Sequence, residues 1–207
     1  MITMIYKAVF QSNPLTMRSS LVLLILALLF TGCNNEKKQQ TESSERKSPI
    51  AIAGITHDET STYLKVVYGQ PYKRGRVIFG DLVPYNEVWR TGANEATEMT
   101  TTKDILFNGE KVLAGTYALF TIPREGNWTI ILNSDLGQWG DFDYQQRYDV
   151  LRTQVPSIHA EQPAEAFTIQ LTDINKKGVK LVMHWDTTKV QVPITFLGTE
   201  GDTTAVK

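Results

Sequence analysis

The stretch FTIQLTDI-NKKG-VKLVMHWD, Phe167 to Asp186, decides the fold class. Its first eight residues place Phe167, Ile169 and Leu171 on one face and Thr168, Gln170 and Thr172 on the other. Its last eight alternate Val179, Leu181, Met183 and Trp185 against Lys180, Val182, His184 and Asp186. A period of two is the signature of a half-buried strand. Asn175 to Gly178 between the two runs has the composition of a hairpin turn. The same pattern spreads outward. KVQVPI turns Val190, Val192 and Ile194 inward, and ILFNGEKVL carries Asn108-Gly109 at its middle, the strongest short hairpin signal. GTYALFTIP, NWTIILN and TYLKVVYG add further strands. Roughly eight to ten short strands with turns at intervals of about 8–12 residues predict an all-β domain, an antiparallel β-sandwich. DFDYQQRYDVL, Asp141 to Leu151, is the best helical candidate, one or two turns within a long aromatic loop at 134–150.

That domain spans residues 50–197, enough for one sizeable core. Residues 198–207 read as a flexible tail. Ahead of the domain, MRSSLVLLILALLFTGC runs from Met17 to Cys33: one arginine, an unbroken apolar run from Leu21 to Phe30, then two small residues before a cysteine. This is the order of a secretory signal peptide. The run is short of the roughly 20 apolar residues that span a bilayer. Small residues directly before the cysteine resemble a bacterial lipoprotein signal, cut before Cys33 so that the thiol carries lipid. Phe30 stands where such signals usually have leucine, and Met17 serves as an alternative start. Cys33 is the chain's one cysteine, so no internal disulfide competes for it. Residues 1–32 thus read as signal. Residues 33–49, rich in Gln, Ser, Glu and Lys, read as a lipidated cysteine and a solvated tether.

The whole chain has 21 basic and 22 acidic side chains. Lys7 and Arg18 lie upstream of Cys33, which leaves 19 basic against 22 acidic and a net of −3 for the cleaved chain. There is no basic field for nucleic acid. The partners expected are the membrane, through the anchor at Cys33, and a glycan or small anionic ligand.

Catalytic signatures are missing: no G-x-S-x-G, no H-E-x-x-H, no C-x-x-C. His57, His159 and His184 are scattered and read as surface residues, and neither a metal nor a cofactor is expected. Asn133, Asp135, Asp141 and Asp143 fail the spacing of a calcium loop. Two features carry recognition chemistry. Lys73, Arg74 and Arg76 around Gly75 form either a solvated basic turn or a cradle for a phosphate or carboxylate. The loop GQWGDFDYQQRY, with Trp139, Phe142, Tyr144 and Tyr148, either seals one end of the domain or stacks on a sugar.

EVWRTGANEAT, Glu87 to Thr97, is the densest run of unusual residues. Trp89 reads as core. Gly92 and Asn94 both tolerate a left-handed backbone. Arg90 and Glu95 lie close enough in sequence to pair across the turn, and a buried structural pair is the expectation. The alternative makes Arg90 and Asn94 a clamp for a ligand. The candidate ligand-binding residues are therefore Arg76, Arg90, Asn94, Glu95, Trp139 and Tyr144.

GQPYKRGRVIFGDLVPYNEVWRTGANEAT, LAGTYALFTIP, WTIILN and GQWGDFDY together resemble the family known as domain of unknown function 2911. The motifs are matched by Arg74 to Gly80, Leu82 to Tyr85, Trp89 to Glu95 and Gly115 to Phe120. Gln70 stands where the family often has Arg or Ser. The resemblance covers most of 55–194 and implies an exported bacterial protein, often a lipoprotein, with no mechanism attached. Three functions follow as expectations: a ligand-binding or scaffolding module, a glycan hydrolase or lyase using carboxylates such as Glu95 and Asp141, or an assembly partner in the envelope. Cells fed a labelled fatty acid are expected to label the wild-type chain and not Cys33→Ala; label retained by the variant overturns the anchor.

Overall fold

The computed structural model describes residues 46–198. The signal, Cys33 and most of the tether lie outside the described residues, as do residues 199–207. Among the described residues no helix is long and apolar enough to cross a membrane.

The domain is all-β and antiparallel. Among the described residues it has nine strands in chain order: β1 Ile50–His57, β2 Thr62–Gly69, β3 Thr97–Thr101, β4 Ile105–Phe107, β5 Glu110–Val112, β6 Gly115–Ile122, β7 Asn127–Asn133, β8 Asp149–Asn175 and β9 Gly178–Phe196. They hydrogen-bond in the order β1-β2-β3-β6-β7-β8-β9-β4-β5. The alternation of the opening stretch is realised: Phe167, Ile169, Val179, Leu181, Met183 and Trp185 are buried, as are Val190, Val192 and Ile194. The turn between β8 and β9 is a two-residue loop closed by Asn175, whose Oδ1 accepts from the amides of Lys177 and Gly178. Asn108 and Gly109 both take positive φ, as the primed hairpin turn between β4 and β5 requires.

The segment PSIHAEQPAEA, with Pro156 and Pro163, lies inside β8. β8 therefore runs 27 residues, pairing with β7 through its first part and with β9 through its second. Register shifts on either side of Ala164 absorb the irregularity. The helix expected over 141–151 is only a three-residue 3-10 turn, Gln146–Tyr148, with no side-chain cap.

The sheet curls over its own core. Pro71 to Lys73, just past β2, meet β8: Phe167 N–H donates to Pro71 O, Lys73 N–H to Glu165 O, and Tyr72 bridges Ala166. The second strand in the order is thereby tied to the sixth. One apolar cluster joins Leu64 and Val66 of β2, Met99 of β3, Leu119 of β6 and Ile130 of β7 to Phe167 of β8 and Trp185 of β9. Residues 46–49 are held against the domain. Gln70 N–H donates to Pro49 O, and the Arg74 guanidinium to Lys47 O.

Gly178 marks the tightest closure. A Cβ there would stand 2.0 Å from Ile194 O, so the backbones of the hairpin turn and the end of β9 touch. Gly178→Ala is expected to cost about 1–3 kcal/mol through overpacking. Lys177→Ala, one residue away and exposed, is expected to stay within about 0.5 kcal/mol. Urea unfolding of the two variants checks the difference.

Candidate functional site

Trp89 is the anchor of the corner at residues 89–97. It is buried, with its ring centroid 5.0 Å from Phe167, 6.0 Å from Phe79, 6.3 Å from Trp128 and 6.0 Å from Trp185. It exchanges both backbone hydrogen bonds with Thr121 of β6. Its indole N–H donates back to Gly92 O at 3.1 Å. The chain then turns twice, at Thr91 (φ 54°) and Asn94 (φ 67°). Gly92 is not one of the left-handed positions; its need is room, because a Cβ would stand 2.9 Å from Gly69 O. Threonines hold the corner. The Thr91 hydroxyl bonds Trp89 O and the Thr121 hydroxyl, and the Thr97 hydroxyl donates to Thr91 O at 2.7 Å.

The Arg90–Glu95 pair expected to staple this turn does not form. Glu95 is held instead by Arg46, which donates two hydrogen bonds at 2.7 and 2.5 Å. That pair is 35% and 45% exposed at its two side chains. The Arg46 hydrogen bond holds the Glu95 carboxyl below its ordinary value, against a smaller opposing effect of burial. A depressed carboxylate stabilises the fold above its unfolded pKa, and that contribution fades as pH falls through the folded pKa. Arg90 makes no salt bridge among the described residues, and its Nε is closed off from solvent without an acceptor. Its Nη1 would stand 2.8 Å from a Cβ at Gly140, so the aromatic loop packs against the guanidinium.

Arg90 lines a cleft of about 320 Å³. Trp89 and Trp185 contribute aromatic surface, Val83, Pro84 and Val88 aliphatic surface, and Arg76, Glu87 and Asp141 charge. Of the six candidate residues, Arg76 and Arg90 therefore share a cavity. Arg76 donates from Nε to Lys73 O and from Nη2 to Tyr72 O, which leaves other guanidinium hydrogens for a ligand. The basic turn is otherwise committed. Lys73 pairs with Asp186 at 2.6 Å. The backbone cradle of Arg74 and Gly75, both at positive φ, is served by Glu165, whose Oε1 accepts the Arg74 amide.

The other four candidates lie elsewhere. Glu95 lines a neighbouring pocket of about 230 Å³, so Glu95 and Asp141 do not face one another as a catalytic pair in one cavity. Asn94 acts through its carbonyl, which accepts from Gly140 N–H. Trp139 is 60% exposed and bridges Glu95 by backbone. Tyr144 stacks edge-on against Phe120, and its hydroxyl donates to Asp149, which Arg152 also holds. Burial first and the Asp149 carboxylate second push the Tyr144 phenol up to about 12. This network pins the aromatic loop to β8.

His57 corrects the surface reading of the histidines. It is buried, stacked 4.5 Å from Phe196, with Nδ1 bonded to the Thr60 hydroxyl. His159 is exposed, and His184 is half-buried. Among the described residues no group of three or more His, Cys, Asp or Glu is placed to hold a metal. Sequence reading also missed Trp185 and Gln138 as cavity residues. Trp185 carried a signal only as an inward strand position, and Gln138 carried none.

A double-mutant cycle separates the two pairings. Arg46 and Glu95 are expected to couple only weakly, as exposed, solvent-screened pairs do. Arg90 and Glu95 are expected to show no coupling; a value near the roughly 3–5 kcal/mol cost of breaking a buried pair contradicts this geometry.

A family model described as a protein of unknown function (DUF2911) matches residues 49–194. No curated protein and no solved structure matches the chain.

Proposed function

Because the chain belongs to the DUF2911 family, whose description assigns no reaction, we propose from the cleft itself that the domain binds a small hydroxylated anion, a sugar acid or sugar phosphate. We propose further that the N-terminal signal carries it to the bacterial envelope, where lipid at Cys33 anchors it. The observation that carries the binding reading is Arg90. A guanidinium nitrogen closed to water and lacking an acceptor costs free energy, about 1–3 kcal/mol for the unmet hydrogen bond. A ligand carboxylate or phosphate supplies that acceptor, and planar guanidinium suits both by its fork geometry. Arg76 on the same lining adds a second cation. Glu87 and Asp141 accept from ligand hydroxyls, which favours a sugar acid over a hydrocarbon acid of the same charge. Leu82, Pro84 and Val88 offer apolar surface for the ring. The volume sits at the small end of the range of about 300–1,000 Å³ for ligand sites.

Thermal melts with glucuronate, glucose 6-phosphate, glucose and hexanoate test the reading. Glucuronate or glucose 6-phosphate is expected to raise the melting temperature, by an amount equivalent to about 2.7 kcal/mol at a hundredfold excess over Kd. Neutral glucose is expected to do nothing. Arg90→Met keeps the apolar stem and removes the unmet donor. It is expected to leave the free protein as stable as wild type or about 1 kcal/mol more stable, and to abolish the shift. An equal shift with glucose, or a shift retained in Arg90→Met, overturns the proposal.

A further inference from the structure

The turn at residues 92–96 has a cavity on each side: Gly92 and Ala93 line the cleft just described, while Glu95 and Ala96 line the smaller pocket. The smaller pocket has the opposite chemistry. Ile50, Val67, Tyr68 and Ala96 give it apolar walls, and its polar side chains Glu95, Glu98 and Gln138 carry no cation among them.

Gln138 is the telling residue. It is 7% exposed, and its Nε2 donates to Asp135 O at 2.9 Å. The Asp135 carbonyl can only accept, so its partner is the NH2 end of the amide. Oε1 is therefore the remaining end, and it is closed to solvent with no donor. The rest of the residue is satisfied on this side, since its backbone O accepts from Ala96 N–H. The carboxylates differ in how far they are neutralised. Arg46 balances Glu95 with two hydrogen bonds. Glu98 accepts from the Gly137 amide at 3.2 Å and makes no salt bridge among the described residues.

We propose that this pocket is a second binding site, for a primary ammonium on a short aliphatic stem. The ammonium donates to Gln138 Oε1, and Glu98 balances its charge. The stem lies against Ile50, Val67 and the Tyr68 ring. An anion is repelled by the uncompensated Glu98 carboxylate, and a neutral alcohol leaves that charge unbalanced. The chemistry is shared by a free alkylamine and by the lysine side chain of a polypeptide. The site stands independently of the anion cleft, because no residue lines both cavities.

The full chain is titrated with pentylammonium, pentan-1-ol, pentanoate and Nα-acetyl-lysine N-methylamide, read by the amide resonances of Ala96 and Gly137. Saturable shifts are expected with both ammonium probes and not with the alcohol or the acid, and the two ammonium probes are expected to compete. Tighter binding of the lysine probe assigns the natural source to a polypeptide, and tighter pentylammonium assigns it to a free amine. Gln138→Leu and Glu98→Gln are each expected to weaken binding about tenfold or more, as loss of a hydrogen bond to a charged group does. Gln138→Glu keeps the acceptor, adds charge and is expected to tighten it, an outcome that a purely structural glutamine does not give. Arg90→Met is expected to leave ammonium affinity unchanged. Equal binding of pentan-1-ol and pentylammonium, or wild-type affinity in both Glu98→Gln and Gln138→Glu, overturns the site. The last two variants decide the matter even if Gln138→Leu does not fold.

Discussion

The indole of Trp89 is the fixed point of this domain. It packs edge-on against Phe79, Trp128 and Phe167 and in parallel with Trp185, and so joins rings from four separate parts of the chain. Removing a large aromatic from such a core costs about 3–5 kcal/mol, whereas the exposed Arg46–Glu95 pair is screened by solvent and contributes little. Packing therefore sets the corner, and charge decorates it. With Trp89 facing the core and bonded on both sides to Thr121, the next residue emerges at the rim, which places Arg90 in the cleft. The corner then presses its backbone against β2: a Cβ on Gly69 would stand 1.9 Å from Ala93 O. Both cavities are the spaces left on either side of that contact.

The distribution of unmet polar groups separates structure from recognition. Four buried side-chain atoms lack partners among the described residues: Arg90 Nε, Trp128 Nε1, Gln138 Oε1 and His184 Nε2. Trp128 belongs to the aromatic core, where the ring's packing offsets one unmet N–H of about 1–3 kcal/mol. His184 is half-buried, and desolvation first, with Lys189 second, holds its imidazole below the ordinary value. Arg90 and Gln138 differ from these two, because each lines a cavity. Arg90 is an unmet cationic donor and Gln138 an unmet neutral acceptor. The two call for opposite partners, which argues against a single oily cavity cut in two by the turn.

The strand pattern was legible because burial on one face imposes a period of two, and Phe167 to Trp185 obey it. The Asn108-Gly109 turn was legible because few residues tolerate two successive positive φ values. β8 was harder. Proline lacks an N–H and ordinarily interrupts a ladder, but Pro156 falls where β8 passes from one partner to the other, and Pro163 falls in the gap between paired residues at His159 and Ala164. The Arg90–Glu95 pairing failed for a related reason. Closeness in sequence fixes distance along the chain, not the direction of a side chain, and two left-handed residues between them turn Glu95 toward a different cavity. Its real partner, Arg46, lies 49 positions away in a segment whose composition reads as solvated tether. Arg76 and Arg90 were legible as candidate cations; that they share one lining was not, because the fold alone brings their loops together.

The segment at residues 46–49 shows how far polar composition can mislead about order. Nothing in it buries apolar surface, so by itself it has no reason to stay in place. It is held by bonds to atoms the corner and the basic turn have already fixed: Arg46 to Glu95, Lys47 O to Arg74 and Pro49 O to Gln70. Ser48, between them, lines the cleft that holds Arg90, while the Arg46 partner, Glu95, lines the smaller pocket. One short stretch therefore borders both cavities and continues directly into β1, whose Ile50 walls the second. Displacing Arg46 from Glu95 would leave a second uncompensated carboxylate on the lining of the smaller pocket. Only the first of the two cavities has cations on its lining, and residues 46–50 border both.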